Sequence, residues 1–465
     1  MDVRTRPAEY GALAARLPGK TVLPGGDAYE TARLAWNLRA TKRPEVIVYA
    51  ETPGDVREAL AFAREHDLLV AVQATGHRVT VDGRGCLVIN TSRMKSLAVD
   101  PVAATASLGA GVKWGEVLAR AQAHGLAPLL GSSGDVGAVG YTLGGGLGWL
   151  ARKYGMSVDS VLRFEVVTAD GRVLSPSPEE NPDLFWALRG GGGGFGVVTG
   201  MEIRLHPVAR VYAGNLFYPA DMAKAVWRRY REWVAHAPDE LTSSIVLMNI
   251  PPLPQAPPAL RGQSFVIVRG CYLGSSGDGE ALLAYWRNWQ APLIDEFREM
   301  PFREADQISQ DPVDPIPALT SGEWLRDLSD ETADALIRHT FPQAGPPAFV
   351  FSEVRLAGGA IARVDPDATA YSHRDEKFIW VSIAMPPTEE AAHAVKQQLG
   401  RLAAALGPAR TGRVYMNFLE GEEMRERTRD GFSEAAFRRL QTVKARYDGK
   451  DRIVSGFDIP PAPRH

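Results

Sequence analysis

The sequence predicts an α+β protein in two parts: a ligand-binding half of short strands and helices, then an antiparallel sheet backed by helices. Three observations predict it. At 465 residues the chain exceeds the size at which one hydrophobic core keeps growing, so two domains, or one with a large cap, are expected. Up to about residue 208, β-branched runs alternate with amphipathic helical ones around two glycine-dense stretches, and long apolar runs between helical segments follow. The second glycine stretch stands in the wrong order for a Rossmann site, so a Rossmann site is rejected at that position.

The lead-in, residues 1–43, reads as helical with a turn at Gly25-Gly26 and is expected to pack on the first half. Pro44 to Glu51 (PEVIVYAE) alternates and is β-branched, as a strand requires. Pro53 then opens a helix, GDVREALAFAREH, with apolar residues at helical spacing. A second strand, LLVAVQA, runs into Thr75-Gly76-His77-Arg78, where glycine permits a tight turn and close approach of a ligand. Cys86–Asn90 and Thr105–Gly111 read as further strands and Lys113–His124 as an amphipathic helix. Phe164–Ser175 reads as a hairpin in which Asp170-Gly171 supplies positive φ values. Further on, FVIVRGCYL and FIWVSIAM supply sheet, and ALLAYWRNW and EEAAHAVKQQLGRLAAAL supply the helices behind it. The stretch PPLPQAPPAL, residues 251–260, reads as a surface loop at a cleft rim, and GEEMRERTRD as a solvated face.

From Gly131 to Gly148 the chain reads GSSGDVGAVGYTLGGGLG, far more glycine than a packed element tolerates without reason. Small residues expose backbone N–H groups that can cradle a diphosphate. Val136, Val139, Tyr141 and Leu143 interleave with the glycines, unlike a flexible linker. The second cluster holds G-x-G-x-x-G at Gly191, Gly193 and Gly196. Helix-like ENPDLFWALR precedes it and strand-like VVTGMEIRL follows, the inverse of the dinucleotide fingerprint.

Composition narrows the function classes. With 45% hydrophobic and 23% charged residues and a mean hydropathy of -0.15, the chain reads as soluble and globular. A net charge of -3 offers no footprint for nucleic acid or an anionic membrane. The start has no apolar stretch suited to a secretory signal or a span, so a cytoplasmic protein is expected. Cys86 and Cys271 are too few for a disulfide framework, and no metal site is expected. Motifs for a metalloprotease, a nucleotide hydrolase or an α/β-hydrolase are missing.

Taken together, VQATGHRVT, LVINTSRMKSLAVD and VGAVGYTLGGGLGWLARKYGMSVDSV resemble the vanillyl-alcohol-oxidase or PCMH-type FAD-binding fold, and within it the berberine-bridge-enzyme-like oxidoreductases. The likeness spans residues 44–208 as the FAD-binding part. It extends to GGAIARVDPDATAYSHRD in a substrate-binding part, 209–410, and to RVYMNFLE and AFRRLQTVKARYDGKDRI in a returning segment, 411–465. The resemblance implies FAD, with His77 bonded to the 8α carbon of the flavin. It places the cofactor against Gln73, Ala74, Thr75, Gly76 and Arg78, against Gly131, Ser132, Ser133, Val136, Gly137, Gly140, Tyr141, Gly144, Gly145, Gly146 and Gly148, and against Gly196, Val197 and Val198. Relatives with a second, cysteinyl link carry Cys in G-x-C-x-x-V-G; here GSSGDVG puts Ser133 there, which implies a single bond and tilts the expectation toward smaller substrates. Gln73 stands where relatives usually have Arg, and SGFDIPP replaces an Asn-containing pattern.

For chemistry, the resemblance implies hydride transfer from a small alcohol, amine or secondary-metabolite substrate to flavin N5, with O2 as acceptor giving H2O2. Tyr415, in the Y-x-N of Tyr415-Met416-Asn417, matches the family's base, often with a lowered pKa; the bland alternative makes Tyr415 and Asn417 members of a strand. The strand after His373-Arg374 offers only Trp380 and Ser382 where some relatives place a carboxylate or Gln. Glu353 and Arg355, on one face of a strand, can supply that charge, as can Tyr371; a buried ion pair without a catalytic part is the alternative. The rival functions are a dehydrogenase with another acceptor, and a flavin-binding protein with a decayed site. The chain is expected to be a monomer or homodimer.

Overall fold

The aliphatic runs Val46–Tyr49, Leu69–Gln73 and Cys86–Asn90 pair in parallel at the centre of a five-stranded sheet. The computed structural model describes residues 6–40, 42–78, 83–252 and 258–463. Cys86–Asn90 is buried along its whole length, as a strand covered on both faces must be. The helix Pro53–Glu65 returns the chain to that sheet. Pro53 opens it, and Thr52 and Asp55 form a reciprocal capping box. Lys20 secures Asp55 at 2.8 Å. The sheet ends on Ile453–Val454, which pairs in parallel with Val70 and Ala71 and so ties the end of the chain to its beginning.

A second sheet is antiparallel, with strands in the order Leu97–Asp100, Thr105–Gly109, Val197–Arg204, Val161–Val167 and Val173–Leu174. Helix Pro182–Leu188 precedes the second glycine stretch and strand Val197–Arg204 follows it, the inverted order read from the sequence. The hairpin turn departs from expectation. Gly171 has φ +91° and Asp170 has no positive φ, so glycine alone carries the left-handed residue.

The third sheet has eight strands. In order along it lie Ile294–Asp295, Arg210–Pro219, Ser264–Tyr272, Leu241–Asn249, Phe351–Leu356, Phe378–Ala384 and Leu319–Leu325, and Arg298–Pro301 pairs with Arg210–Pro219. All its pairings are antiparallel. The helices Ala223–Val234, Ser276–Arg287, Asp330–Thr340 and Glu389–Leu406 cover one face, and Trp227, Tyr230, Trp286 and Leu402 fill the space between. The α+β class and the antiparallel sheet backed by helices are as the sequence predicts.

Two surface readings change. In GEEMRERTRD, Arg427 reaches the buried Glu323 at 3.0 Å and Glu423 accepts from Ser321, so this segment anchors a strand of the large sheet instead of being wholly solvated. Of PPLPQAPPAL, residues 253–257 lie outside the described residues. The lead-in also reaches further than the first half. Asn37 Nδ2 donates to Ala318 O at 3.0 Å, and Leu38 N donates to Ile316 O at 3.0 Å.

Candidate functional site

A cavity of about 490 Å³ runs between the three sheets. Its walls bring together the turn after Leu69–Gln73, the first glycine stretch, Gly192, Gly193 and Gly196 of the second, and Tyr415 and Asn417 of the returning segment. Gln73, Ala74, Thr75, Gly76, His77, Arg78, Gly131, Ser132, Ser133, Val136, Gly137, Gly140, Tyr141, Gly196 and Val198 all line it.

His77 sits at a turn that only glycine can make beside it. Gly76 has φ +77°, and a Cβ there would meet Ala35 Cβ at 2.8 Å. The imidazole Nδ1 bonds Thr75 Oγ1 at 2.9 Å, Trp36 stacks on its face with centroids 4.3 Å apart, and Nε2 is buried with no hydrogen-bond partner among the described residues. Burial pushes the ring down to about 4, against the pull of Asp135, whose Oδ2 stands 3.9 Å from Nε2. Asp135 is itself bonded to Lys113. At neutral pH the ring is therefore uncharged.

The glycines divide into two groups that a sequence alone does not separate. At Gly140 an added Cβ meets nothing within 4 Å, and at Gly137 and Gly193 nothing nearer than 3.5 and 3.6 Å, so side chains there would project into the cavity. Gly144, Gly145, Gly146 and Gly148 are not among the residues that line it. Their missing side chains make room for protein: a Cβ would stand 1.9 Å from Asn417 Oδ1 at Gly144, 2.9 Å from the Tyr371 ring at Gly145, 2.4 Å from Ser157 Cβ at Gly146 and 1.8 Å from Leu130 O at Gly148. Val197 is likewise outside the cavity, fully buried in the second sheet opposite Val167.

Tyr415 lies under the first glycine stretch on a 3₁₀ turn, Met416–Phe418, so no strand runs here. Its phenol oxygen accepts from Gly146 N, Leu147 N and Asn417 Nδ2, each at 3.0 Å. Burial raises the phenol above its ordinary pKa, and these donors and Arg78 pull the other way; the lowered value implied by the resemblance is not what the site presents. Asn417 Nδ2 also donates to Tyr141 O at 3.0 Å, which fixes its amide.

Arg355 and Glu353 do share one face of Phe351–Leu356. Arg355 reaches the cavity, whereas Glu353 is completely buried behind it and accepts from Arg355 Nε at 2.9 Å. Burial would push Glu353 up, but Arg355 and Arg269 outweigh it and hold the carboxylate charged. Arg355 also lies over the Phe418 ring at 5.1 Å. Ser382 and Trp380 bond to each other, so the strand Phe378–Ala384 shows the cavity only Ile383, with Met385 just beyond it. Tyr371 packs edge-on against Tyr415 and does not line the cavity.

Several lining residues carried no local signal. Trp36 and Lys42 come from the lead-in, Glu420 follows the Y-x-N, and Phe457 comes from SGFDIPP. Burial pushes Glu420 up to about 8 and Lys42 down to about 8. Arg78 lies over Phe457 at 5.4 Å and donates to Met416 O at 2.6 Å, tying the His77 turn to the returning segment. Gln73 spends its Nε2 on Leu34 O, 3.0 Å away, and leaves Oε1 unpartnered.

An FAD molecule fits this wall. Orphaned buried polar atoms at His77 Nε2, Gln73 Oε1, Tyr141 Oη and Asn417 Oδ1 await partners, and glycines face open space where a diphosphate needs close backbone.

The comparisons agree. Residues 44–176 match the FAD binding domain family. An uncharacterized FAD-linked oxidoreductase of Bacillus subtilis is 29% identical, over 97% of this chain and 98% of its own length. The (R)-6-hydroxynicotine oxidase of Paenarthrobacter nicotinovorans is 34% identical over 42% of this chain and 43% of its own. In structure the chain superposes on a berberine-bridge-enzyme-like protein of Physcomitrella patens with a TM-score of 0.85, at 22% identity over 98% and 99% of the two chains. Against 6-hydroxy-D-nicotine oxidase of Arthrobacter nicotinovorans the TM-score is 0.83, at 24% identity over 96% and 98%.

Proposed function

We propose that this chain, an FAD-dependent oxidoreductase with a berberine-bridge-enzyme-like fold, is an oxidase of a small alcohol, amine or secondary-metabolite substrate, with dioxygen as the final acceptor and hydrogen peroxide as product. The observation that carries the reading is the Tyr415 oxygen, held by three N–H donors at 3.0 Å at the cavity floor.

When bound, FAD supplies a two-electron acceptor at its flavin N5. The protein supplies the rest. A phenol oxygen that accepts three N–H bonds is better matched as a phenolate than as a phenol, so the donors around Tyr415 favour the form that takes a proton from the substrate. Asn417 holds one of those donors in place through its second bond to Tyr141 O. Arg355, kept rigid by Glu353, offers a fixed positive charge to a substrate oxygen, and Phe351, Ile383 and Met385 exclude water from the same end. His77, Thr75 and Gly76 would hold the ring end of the cofactor, His77 through one covalent bond. Gly137, Gly140 and Gly193 would leave room for the rest. Residues 209–410 would act as the substrate-binding part.

The test is rapid mixing. The flavoprotein is reduced anaerobically with members of an alcohol and amine panel, then mixed with air-saturated buffer. An oxidase reoxidises within the turnover time, and slow reoxidation refutes the oxidase reading in favour of a dehydrogenase. The apolar strand Phe378–Ala384 favours one further reading, a flavin-binding protein without turnover. Normal photoreduction with no substrate-driven reduction across the panel supports that reading.

A further inference from the structure

We propose that Trp36 is a positioning residue for the covalent bond between His77 and FAD: its indole, stacked on the imidazole, holds the ring in the orientation from which the bond forms. The inference rests on the covalent reading of His77 above.

Trp36 lies 41 positions before His77 in sequence, yet their rings are 4.3 Å apart and within 13° of parallel. The contact is braced on every side. Trp36 N donates to Thr75 O at 3.3 Å and Asn37 N to Gly76 O at 3.1 Å, so the segment lies flat against the His77 turn. The far edge of the indole is fixed by Nε1 donating to Val313 O at 2.8 Å. On the imidazole, Thr75 Oγ1 bonds Nδ1 at 2.9 Å. Together the stack and that bond define both the ring plane and its direction. Asp135, 3.9 Å away and engaged by Lys113, does not take that role.

A histidine on a turn otherwise has free χ rotation, and a reacting group that must wait for one orientation among many loses rate in proportion. Burial supports the geometry by keeping the ring neutral at physiological pH, as a nucleophilic imidazole must be. Bond formation exchanges the imidazole N–H and one C–H of the flavin 8α methyl group for an N–C bond. The two protons and two electrons released pass to the flavin, and dioxygen takes them up as hydrogen peroxide.

The experiment compares the full chain with Trp36→Ala and Trp36→Phe. Each purified protein is incubated with excess FAD in air and desalted. Total flavin is read by absorbance and covalent flavin from the acid-precipitated pellet. Trp36→Ala is expected to keep its total flavin while the covalent fraction grows about 10–100-fold more slowly, the range set by misplacement of a reacting group. Trp36→Phe keeps an aromatic face and gives up the bond to Val313 O, and it is expected to stay near the parent. Parent-like growth in Trp36→Ala overturns the assignment. So does equal slowing in both variants, or loss of total flavin from Trp36→Ala, which would make the residue part of the cofactor grip or the fold. A parent whose flavin leaves wholly with the acid supernatant refutes the His77 bond itself, and that result appears in the parent alone.

Discussion

Replacing Tyr415 with phenylalanine removes one oxygen from the cavity floor and leaves the ring in place. Gly146 N and Leu147 N then lose their acceptor inside the protein, while Asn417 Nδ2 keeps its bond to Tyr141 O. Each orphaned buried amide costs about 1–3 kcal/mol, so the variant should lose about 2–6 kcal/mol. At roughly 2 cal/mol/K per residue, unfolding 465 residues as one unit carries about 1 kcal/mol/K, and the melting point should fall by about 2–6 °C. If the oxygen is also the proton acceptor, flavin reduction by substrate should slow about 10²–10⁴-fold, an effect far larger than the change in stability implies. The parent's reduction rate should rise with pH and still be climbing at pH 9, because burial holds the phenol above its ordinary value and only the deprotonated form accepts. Anaerobic stopped-flow reduction at several pH values, with a melting curve on the same preparation, checks all of this. A variant within threefold of the parent rate, with the same pH slope, refutes Tyr415 as the base whatever its melting point.

Gly140→Leu should fold with a near-parental melting point and bind FAD at least about tenfold more weakly by flavin fluorescence titration, since the new side chain enters open cavity; unchanged affinity would show that no cofactor passes there. Arg355→Met leaves the buried Glu353 with Arg269 at 3.8 Å as its nearest remaining positive charge among the described residues and should cost about 3–5 kcal/mol in denaturant unfolding, with much of it recovered in the double variant with Glu353→Gln. His77, His206 and His373 are all pushed down to about 4 by burial. The unfolded chain therefore binds protons near pH 6.5 that the folded one refuses until about 4. Stability is full above about 6.5 and should fall as the pH drops through that window, and His206→Gln should shrink the loss in pH-dependent melting. A melting point flat from pH 7 to 4 in the parent contradicts this assignment.

Much of the fold was legible because it is written in local patterns. Thr52-Pro53 with Asp55 caps a helix wherever it occurs, and the apolar Cys86–Asn90 reads as a covered strand without knowledge of its neighbours. The inverted order around the second glycine stretch was equally local. The candidate site was legible only where a residue lies beside its own signal: Gly76 next to His77, and Tyr415 with Asn417. Glycine itself is ambiguous. Gly140 leaves space for a ligand and Gly148 leaves space for Leu130 O, and a missing Cβ looks the same in sequence for either purpose.

By itself, then, the sequence determined the strand and helix segments, the non-Rossmann character of the glycine stretches and the turn that presents His77. These follow from backbone sterics and hydrophobic period, which act over a few residues. Only the tertiary structure decided that Trp36 covers His77, that Tyr415 takes two of its three donors from chain 268 and 269 positions away, that Arg355 faces the cavity while Glu353 stays behind it, and that Glu420 and Lys42 reach the same walls. The contacts of Trp36, Tyr415, Glu420 and Lys42 join segments remote in the chain. What brings them together is the packing of three sheets on one another, and no short run of residues encodes that.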